Sequence, residues 1–460
     1  MTLVTTRSVL IVGLARQGIA LVRYLTRHGI TPHVTDARPA EHHTDTLAQL
    51  AGLPVEYTLG GHPLTLLDGI DAVYVSGGVP LDIPLLLEAR ARGIPLTNDS
   101  QLFFEHAPCP ILGITGSAGK TTTTTLTGEM CKLSGRTTWI GGNIGNPLLN
   151  DLDTIQPTDL AVIELSSFQL ELMTCSPHIA AILNITPNHL DRHKTMAAYT
   201  AAKANIIRHQ RPGDIAILGW DNPTARNLAD LTPAEIRYFG LTPPTPTPDG
   251  AWLRDNTLIL RTNGHDTPIV PRANIQLRGQ HNVLNVLAAI ALAAAAGVDP
   301  STMAAAIRAF RGVPHRLQIV RQLNGVLWVN DSIATAPERT AAAIHAFTEP
   351  LVLLLGGRDK DLPWGDLAAL AHQRARHIIL FGEAASLIER ALHTAMPTPS
   401  STITRCNTLP EAVLAAARAA HPGDVVLLSP GGTSFDAYPD FAARGHHFTE
   451  LVHALPETRV

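Results

Sequence analysis

The stretch ILGITGSAGKTTTTT (residues 111–125) places an apolar run directly before a glycine-rich turn and a threonine-rich segment. Its GKT ending is typical of a phosphate-binding loop, but the usual pattern also requires a glycine at the position that Ile114 occupies. Glycines stand instead at Gly113, Gly116 and Gly119. The stretch is therefore either a nucleotide site with altered spacing or a glycine- and threonine-rich turn without a ligand.

The order of strand, turn and helix favours the nucleotide site. Gly116 and Gly119 would let the backbone approach phosphate oxygens, because glycine has no side chain. Lys120 supplies a positive charge, and the Thr121 hydroxyl can reach a phosphate-bound Mg²⁺. We therefore predict that this turn binds the phosphates of a nucleotide.

The composition indicates a globular protein of several domains. The chain has 460 residues, too many for one compact core, with 45% apolar and 16% charged residues. A formal net charge of −4 provides no basic field, so neither nucleic acid nor an anionic membrane surface is a predicted partner. The four cysteines form no CxxC pair, which favours a reduced chain in the cytoplasm.

The longest apolar stretch, residues 283–298, is interrupted by Asn285 and is short for a membrane span. It predicts a buried, alanine-rich helix. No membrane insertion is expected from it.

Two breaks divide the chain into α/β segments. Apolar strands alternate with helical stretches, beginning at residues 8–36, and this alternation predicts mostly parallel sheets. Within the central segment, the Asp-Asn pair of WLRDNTLIL (residues 252–260) predicts a hairpin. A Pro/Cys break at 107–110 and the segment FRGVPHRLQ at 310–318 mark the borders. We predict three domains: an N-terminal Rossmann-like domain at 1–108, a central P-loop ATPase-like domain at 109–312 and a C-terminal Rossmann-like domain at 313–460.

The first segment carries an incomplete dinucleotide fingerprint. Its turn GLARQG (residues 13–18) lacks the middle glycine of GxGxxG, and Asp36 ends the second strand. A carboxylate at that position often holds a ribose hydroxyl. Asp36 therefore indicates either a nucleotide-like ligand or an ordinary turn cap.

Polar side chains follow the central strands, where ligands of parallel sheets gather. Glu164 ends one strand and is a natural Mg²⁺ ligand beside a phosphate loop, although a capping role fits equally well. Asn184, His189, Asp191, Arg192 and His193 follow the next strand, and Lys203 stands in an alanine-rich setting that hints at burial. Asn282 and Asn285 would share a helix face, where Asn285 could contact an adenine.

The third segment offers a comparable set of polar residues. The turns NDSIAT, GGRDK and SPGGTSFD each follow a strand, so their side chains converge on one sheet edge. The residues concerned are Asp331, Ser332, Thr335, Lys360 and Ser434.

The motifs together resemble the Mur ligases. GITGSAGKTT, GGNIGNP, ELSSFQLE, NITPNHLDRH, YTAAKANI, GQHNVLNVLAA, VPHR, NDS-x-AT and LLSPGGTSFD occur in that order over essentially the whole chain. The resemblance implies ATP-dependent amide ligation in peptidoglycan synthesis by a cytoplasmic monomer. It also implies a substrate-binding N-terminal domain, a central ATPase domain and a mobile C-terminal domain.

Residue roles follow from the resemblance by matching position. It implies four catalytic residues, Lys120, Glu164, His189 and Lys203. It implies two Mg²⁺ ions, the first at Thr121 and Glu164 and the second at His189 and Lys203, with Lys203 as an N-carbamate. The implied ATP site comprises Gly116, Ser117, Ala118, Gly119, Lys120, Thr121, Thr122, Asn285, Arg316 and Asp331. The implied site for the UDP-linked substrate comprises Asp36, Arg38, Asn143 and His189, and the implied glutamate site comprises Thr335, Lys360, Ser434 and Phe441.

The segments ELSSFQLE and SPGGTSFDAYPDFAARGHHF favour the members that add D-glutamate to UDP-N-acetylmuramoyl-L-alanine. Two positions depart from the family pattern: Ile333 replaces a usual lysine and Gly432 a common cysteine. The change at Ile333 leaves L-glutamate open as the amino acid that is added. Four other interpretations of the motifs also stay open: a different stem-peptide ligase, a folylpolyglutamate synthetase-like ligase, a nucleotide switch and a non-catalytic nucleotide-sugar binder.

Overall fold

The computed structural model describes residues 8–145, 147–277, 279–396 and 401–457. The Cα positions divide the chain into two compact units, Met1–Phe310 and Arg311–Val460. The first unit contains two sheets and the second contains one. Each sheet lies within one of the segments 1–108, 109–312 and 313–460, and we retain those limits as our proposal for the domain borders.

The first sheet is parallel, with the strand order β3-β2-β1-β4-β5. The order reverses beside β1, so the turn after β1 lies at a switch point, where such sheets bind ligands. The strands are β1 (Val9–Val12), β2 (His33–Asp36), β3 (Glu56–Leu59), β4 (Ala72–Val75) and β5 (Leu96–Thr97). The helices are α1 (Arg16–Arg27), α2 (Thr44–Gln49), α3 (Pro84–Ala91) and α4 (Asp99–His106).

The second sheet has the order β14-β13-β12-β11-β10-β9-β6-β8-β7. It is parallel from β7 to β12 and antiparallel across β12, β13 and β14. The strands are β6 (Ile111–Thr115), β7 (Thr138–Gly142), β8 (Leu160–Glu164), β9 (Ile179–Ile182), β10 (Ile215–Gly219), β11 (Glu235–Gly240), β12 (Gly250–Arg254), β13 (Thr257–Thr262) and β14 (His265–Pro271). The helices are α5 (Lys120–Leu133), α6 (Ser167–Leu170), α7 (Leu190–His193), α8 (Met196–Arg208), α9 (Pro223–Arg226), α10 (Gln280–Ala295) and α11 (Pro300–Ala309).

Two predictions for this sheet are confirmed. Asp255 and Asn256 form the turn between β12 and β13, with φ of 47° and 56°, the left-handed conformation that a two-residue hairpin turn requires. The alanine-rich stretch forms α10, which buries most of its length. No helix in the described parts of the chain is long and apolar enough to cross a membrane.

The sheets of the first unit share one apolar core. Leu14 and Leu21 beside the first sheet cluster with Leu148, Leu149 and Ile163 beside the second. All of these side chains are at most 6% exposed. The shared core explains why the two sheets form a single compact unit.

The sheet of the second unit has the order β15-β16-β20-β17-β18-β19. It is parallel except for β15, an antiparallel edge strand joined to β16 by Asn324 and Gly325, with φ of 51° and 76°. This hairpin adds one antiparallel edge strand to an otherwise parallel sheet, and its Asn-Gly pair is the local signal for it. The strands are β15 (Gln318–Leu323), β16 (Val326–Asn330), β17 (Leu351–Gly356), β18 (Ala375–Phe381), β19 (Thr402–Arg405) and β20 (Val425–Gly431). The helices are α12 (Pro337–His345), α13 (Gly365–Arg374), α14 (Ala385–Ala395), α15 (Leu409–Ala419) and α16 (Phe441–Ala454).

Candidate functional site

The glycine-rich turn joins the end of β6 to the start of α5. Gly119 caps α5 with φ of +85°, and a Cβ atom there would overlap Oδ1 of Asn285. A Cβ atom on Gly116 would lie 2.9 Å from Cβ of Leu183. The backbone conformation therefore requires glycine at position 119, and close packing requires it at position 116. The turn leads directly into the N-terminus of α5.

Gly113 has a different role, which explains the failed match to the usual pattern. It lies inside β6, where a Cβ atom would be 2.7 Å from Cγ of Pro177. Ile114 beside it is fully buried in the same strand. Gly113 thus allows strand packing and is not part of the phosphate loop.

The segment after β9 holds the loop in place. Asn184 accepts from Ala118 N through Oδ1 at 2.9 Å, and its backbone carbonyl accepts from Ser117 N at 2.8 Å. The Ser117 hydroxyl donates to the Thr186 carbonyl at 3.0 Å. Asn184 is therefore a structural partner of the loop, a role that its position after a strand does not reveal.

Glu164 ends β8 next to the loop, because Ile114 of β6 pairs with it directly. Its carboxylate is nearly buried, at 2% exposure. Oε2 accepts from the Thr121 hydroxyl at 2.8 Å, and Oε1 accepts from the Asn143 amide at 2.8 Å. The structure thus brings Thr121, Asn143 and Glu164 together, while Thr122 lies half-buried beside them.

Lys203 reaches the same loop from α8 and is only 1% exposed. Its ammonium donates to the Gly116 carbonyl at 2.9 Å and to the Thr115 hydroxyl at 3.3 Å. Burial lowers the pKa of Lys203 well below its ordinary value, and the charge of Lys120 lowers it further, against an opposing effect of Glu164. The predicted burial of this lysine is confirmed.

His189 is exposed and precedes α7. Its ring lies 5.1 Å from that of Phe168 and 6.4 Å from that of Tyr199, centroid to centroid. The Tyr199 hydroxyl lies 3.0 Å from the Ser117 hydroxyl, and Lys203 Nζ lies 4.9 Å from the Tyr199 ring centroid. Tyr199 therefore lies near His189, Lys203 and the loop at once.

The donor set near the loop fits Mg²⁺. This ion commonly binds through one or two carboxylates, with substrate phosphates and water completing the shell. Glu164 and Thr121 supply such oxygens, and their 2.8 Å bond shows that they reach the same point. Within the described ranges, no three His, Cys, Asp or Glu side chains form a group that could hold a metal ion, so a metal at the loop would also need oxygens from its ligand.

Asp36 closes the turn after β1 in the first sheet. Its carboxylate accepts from Leu14 N at 2.8 Å, from Arg38 N at 2.9 Å and from Arg38 Nε at 3.3 Å. Burial alone would raise the pKa of Asp36, but these hydrogen bonds and the charge of Arg38 lower it to about 2. His43 Nε2 lies 3.3 Å from the same carboxylate, a contact that the sequence pattern did not indicate. Arg38 itself is exposed at the mouth of this turn.

The predicted adenosine contacts fall on both units. Asn285 lies beside Gly119 in the first unit and donates to Oδ1 of Asn282 at 3.0 Å, so these side chains share a face as predicted. In the second unit, Arg316 and Asp331 line a cavity of about 330 Å³ with Ile333 and others. Burial raises the pKa of Asp331 to about 6, although Ser429 Oγ donates to it at 2.9 Å.

The predicted glutamate residues follow strand ends in the second unit. Lys360 Nζ donates to the Thr335 hydroxyl at 3.4 Å, so these two lie together. Ser434 is 1% exposed, and Phe441 begins α16 with 36% exposure.

Arg444 lies in the segment SPGGTSFDAYPDFAARGHHF, but the sequence alone assigned it no role. It is fully buried, and its guanidinium donates to the hydroxyl and carbonyl of Ser332 and to the carbonyls of Gly432 and Thr433. It thereby ties the loop after β16 to the loop after β20, which carry Thr335 and Ser434. The available signal is its place on the buried face of α16, with Phe448 and Val452 at four-residue intervals.

Family comparisons agree along the chain. Three family models match the chain, at residues 7–98, 114–293 and 315–432. They are described, in that order, as "Mur ligase MurD-like, N-terminal domain", "Mur ligase middle domain" and "Mur ligase, glutamate ligase domain". A Symbiobacterium thermophilum protein named UDP-N-acetylmuramoylalanine–D-glutamate ligase is 41% identical over 97% of both chains. A protein of the same name from Acetivibrio thermocellus is 39% identical over 98% of this chain and 97% of its own.

A solved structure shows the same fold. The crystal structure of MurF from Acinetobacter baumannii matches with a TM-score of 0.55 and 17% identity, over 96% of this chain and 93% of that one. Together with relatives of about two-fifths identity over nearly the full length, these findings confirm the predicted fold and identify the group. The chain belongs to the Mur ligase family.

Proposed function

We propose that the protein is an ATP-dependent ligase that joins D-glutamate to UDP-N-acetylmuramoyl-L-alanine in peptidoglycan synthesis, releasing ADP and phosphate. The observation that carries the proposal is the assembly of Lys120, Thr121, Glu164 and Lys203 around one phosphate-binding turn. The name of the relatives that match over nearly the full length supports the choice of substrates. The protein acts in the cytoplasm as a monomer.

The first step forms an acyl phosphate. A carboxylate oxygen of the UDP-linked alanine attacks the γ-phosphorus of ATP, and the bond to the β-phosphate oxygen breaks to leave ADP. Lys120 and the amides at the start of α5 bind the phosphates, which lowers the repulsion between two anions. Glu164 and Thr121 would hold one Mg²⁺ ion and His189 and Lys203 a second, and the ions would supply further charge neutralisation.

The second step forms the amide bond. The glutamate amine attacks the carbonyl carbon of the acyl phosphate, loses a proton, and phosphate leaves with the carboxylate-derived oxygen. Thr335, Lys360, Ser434 and Phe441 bind the incoming glutamate. Asp36, Arg38, Asn143 and His189 bind the UDP-linked substrate.

Lys203 acts as an N-carbamate. Its burial and lowered pKa favour the neutral amine, which is the form that adds to CO₂ with release of one proton. The product is a carboxylate on a long side chain, able to bind a cation near the loop. ATP is bound at residues 116–122 and by Asn285, Arg316 and Asp331.

A coupled assay tests this function. Phosphate release is measured with UDP-N-acetylmuramoyl-L-alanine and either enantiomer of glutamate, and with each substrate omitted. We expect release only with all three substrates and with D-glutamate. Activity confined to L-glutamate would contradict the choice of enantiomer, and ATP hydrolysis that ignores both other substrates would contradict ligation.

A further inference from the structure

The short helix α7 begins from a strained residue. His189 adopts φ of 52° and ψ of 32°, the left-handed region that is energetically unfavourable for residues with a Cβ atom. The amides of Arg192 and His193 then donate to its carbonyl at 3.2 and 2.9 Å. Such a conformation persists only where surrounding contacts determine it.

Arg192 supplies contacts of this kind. Its guanidinium donates to the carbonyls of Gly77 at 3.0 Å and Val79 at 2.6 Å, in the turn that follows β4 of the first sheet. The same guanidinium lies 4.3 Å from the ring centroid of Phe168, whose ring also faces His189. Arg192 thus fixes α7 against both the other sheet and an aromatic side chain.

The turn after β4, whose carbonyls Arg192 binds, is itself hydrogen-bonded to the turn after β1. The Ser76 hydroxyl donates to the Gly13 carbonyl at 2.8 Å, and Gln17 Oε1 accepts from Gly77 N at 2.8 Å. A Cβ atom on Gly13 would lie 2.9 Å from a methyl group of Val79. The turn after β4 is therefore packed and hydrogen-bonded directly against the turn that Asp36 closes.

We propose that Arg192 is a positioning residue, which holds His189 in its strained conformation and connects it to the nucleotide-sugar turns of the first sheet. The proposal rests on the proposed function, because His189, the residue that Arg192 orients, takes part in that reaction. Substrate binding at the turns of the first sheet would then stabilise the conformation of His189 through the Arg192 side chain.

Three variants test this role. Arg192→Ala removes the guanidinium, and Arg192→Lys keeps the charge but not the pair of hydrogen bonds to the Gly77 and Val79 carbonyls. Arg226→Ala is the matched control, because Arg226 also lies in a four-residue helix, stacks on Trp220 at 4.7 Å and donates to its carbonyl at 3.3 Å. Its contacts lie away from His189.

The kinetic measurement is a double-mutant cycle with His189→Ala. We expect Arg192→Ala to lower kcat about 100-fold, the effect of misplacing a reacting group. In the His189→Ala background the same change should have little further effect, because the residue it positions is gone. Arg192→Lys should give an intermediate kcat, and Arg226→Ala an unchanged one. If the fold-reductions in kcat caused by Arg192→Ala and His189→Ala multiplied in the double variant, the proposal would be overturned.

Hydrogen exchange gives an independent measurement on the unliganded protein. Arg192→Ala, or Arg192→Lys if the alanine variant does not fold, should speed amide exchange across residues 188–195, whereas Arg226→Ala should not. Unchanged exchange in that segment would contradict the anchoring role. A wild-type protein without ligase activity would instead refute the proposed function and leave the exchange result as the test of Arg192.

Discussion

Lys120 and Lys203 donate to the same acceptor, the carbonyl oxygen of Gly116, over 3.0 and 2.9 Å. Two ammonium groups so close repel each other, and the repulsion is strongest for the one removed from water. Lys203 is the buried member, with 1% exposure, so its pKa falls. Burial first, and the nearby charge of Lys120 second, thus favour the neutral form of Lys203.

Replacing Lys203 should separate stability from activity. In protein freed of CO₂, where Lys203 is an unmodified amine, Lys203→Met removes the cost of burying that amine, so we expect the free energy of unfolding to rise at pH 7. Turnover should be lost. Chemical denaturation and the coupled assay measure the two effects, with the exposed Lys132→Met as control.

The pH dependence of that stability difference has a definite sign. Because the folded pKa of Lys203 is lowered, the unfolded chain binds more protons, and wild-type stability rises with pH from the folded pKa to about 10.4. The advantage of Lys203→Met should therefore shrink toward alkaline pH. An advantage independent of pH would contradict the neutral, buried amine.

Glu164→Gln tests the carboxylate that joins Thr121 and Asn143. The amide keeps the shape but loses the charge, so we expect kcat to fall about 100-fold or more, the scale of one preorganised electrostatic contact. The Mg²⁺ concentration for half-maximal rate should rise. Glu171→Gln, an exposed glutamate after α6, is the control, and an unchanged Mg²⁺ dependence in Glu164→Gln would remove Glu164 from the metal site.

Gly119→Ala tests the approach of α10 to the loop. A side chain is disfavoured by φ of +85°, at a cost of about 1–2 kcal/mol, and its Cβ would overlap Asn285. We expect Gly119→Ala to destabilise the protein by more than that backbone cost, and Asn285→Ala to relieve the excess. Thermal unfolding of the single and double variants measures this. If the changes in stability from Gly119→Ala and Asn285→Ala were strictly additive, the Asn285 side chain would not be what disfavours alanine at position 119.

Arg444→Lys tests how the second unit orders its strand-end loops. Lysine cannot hold the separate acceptors of Ser332, Gly432 and Thr433 with one ammonium. We expect the KM for glutamate to rise about tenfold, or ~1.4 kcal/mol, with the KM for the UDP-linked substrate unchanged. Arg321→Lys is the control, since Arg321 also binds several carbonyls in this unit, and equal effects of both variants would contradict a specific role for Arg444.

Local patterns sufficed for the strands, the hairpin at Asp255 and Asn256 and the glycine-rich turn between β6 and α5, because each depends on neighbouring residues. Polar residues after parallel strands were also predictable as a group, since the sheet brings those ends to one edge. The Asn324-Gly325 hairpin carried an equally local signal and could have been found by the same rule.

The sequence could not reveal contacts that join distant segments. Arg192 looks like any arginine after a strand, yet it binds carbonyls more than a hundred residues earlier. Gly113 looks like a loop glycine, although its packing against Pro177 places it in the sheet. Such roles depend on which segments the fold brings together, and no local spacing encodes that.

Isotope transfer tests the acyl phosphate most directly. UDP-N-acetylmuramoyl-L-alanine is labelled with ¹⁸O in its carboxylate and turned over with ATP and D-glutamate, and the released phosphate is examined by mass spectrometry. Ligation through an acyl phosphate predicts that each phosphate carries one labelled oxygen. Unlabelled phosphate, released as fast as the amide forms, would contradict the mechanism.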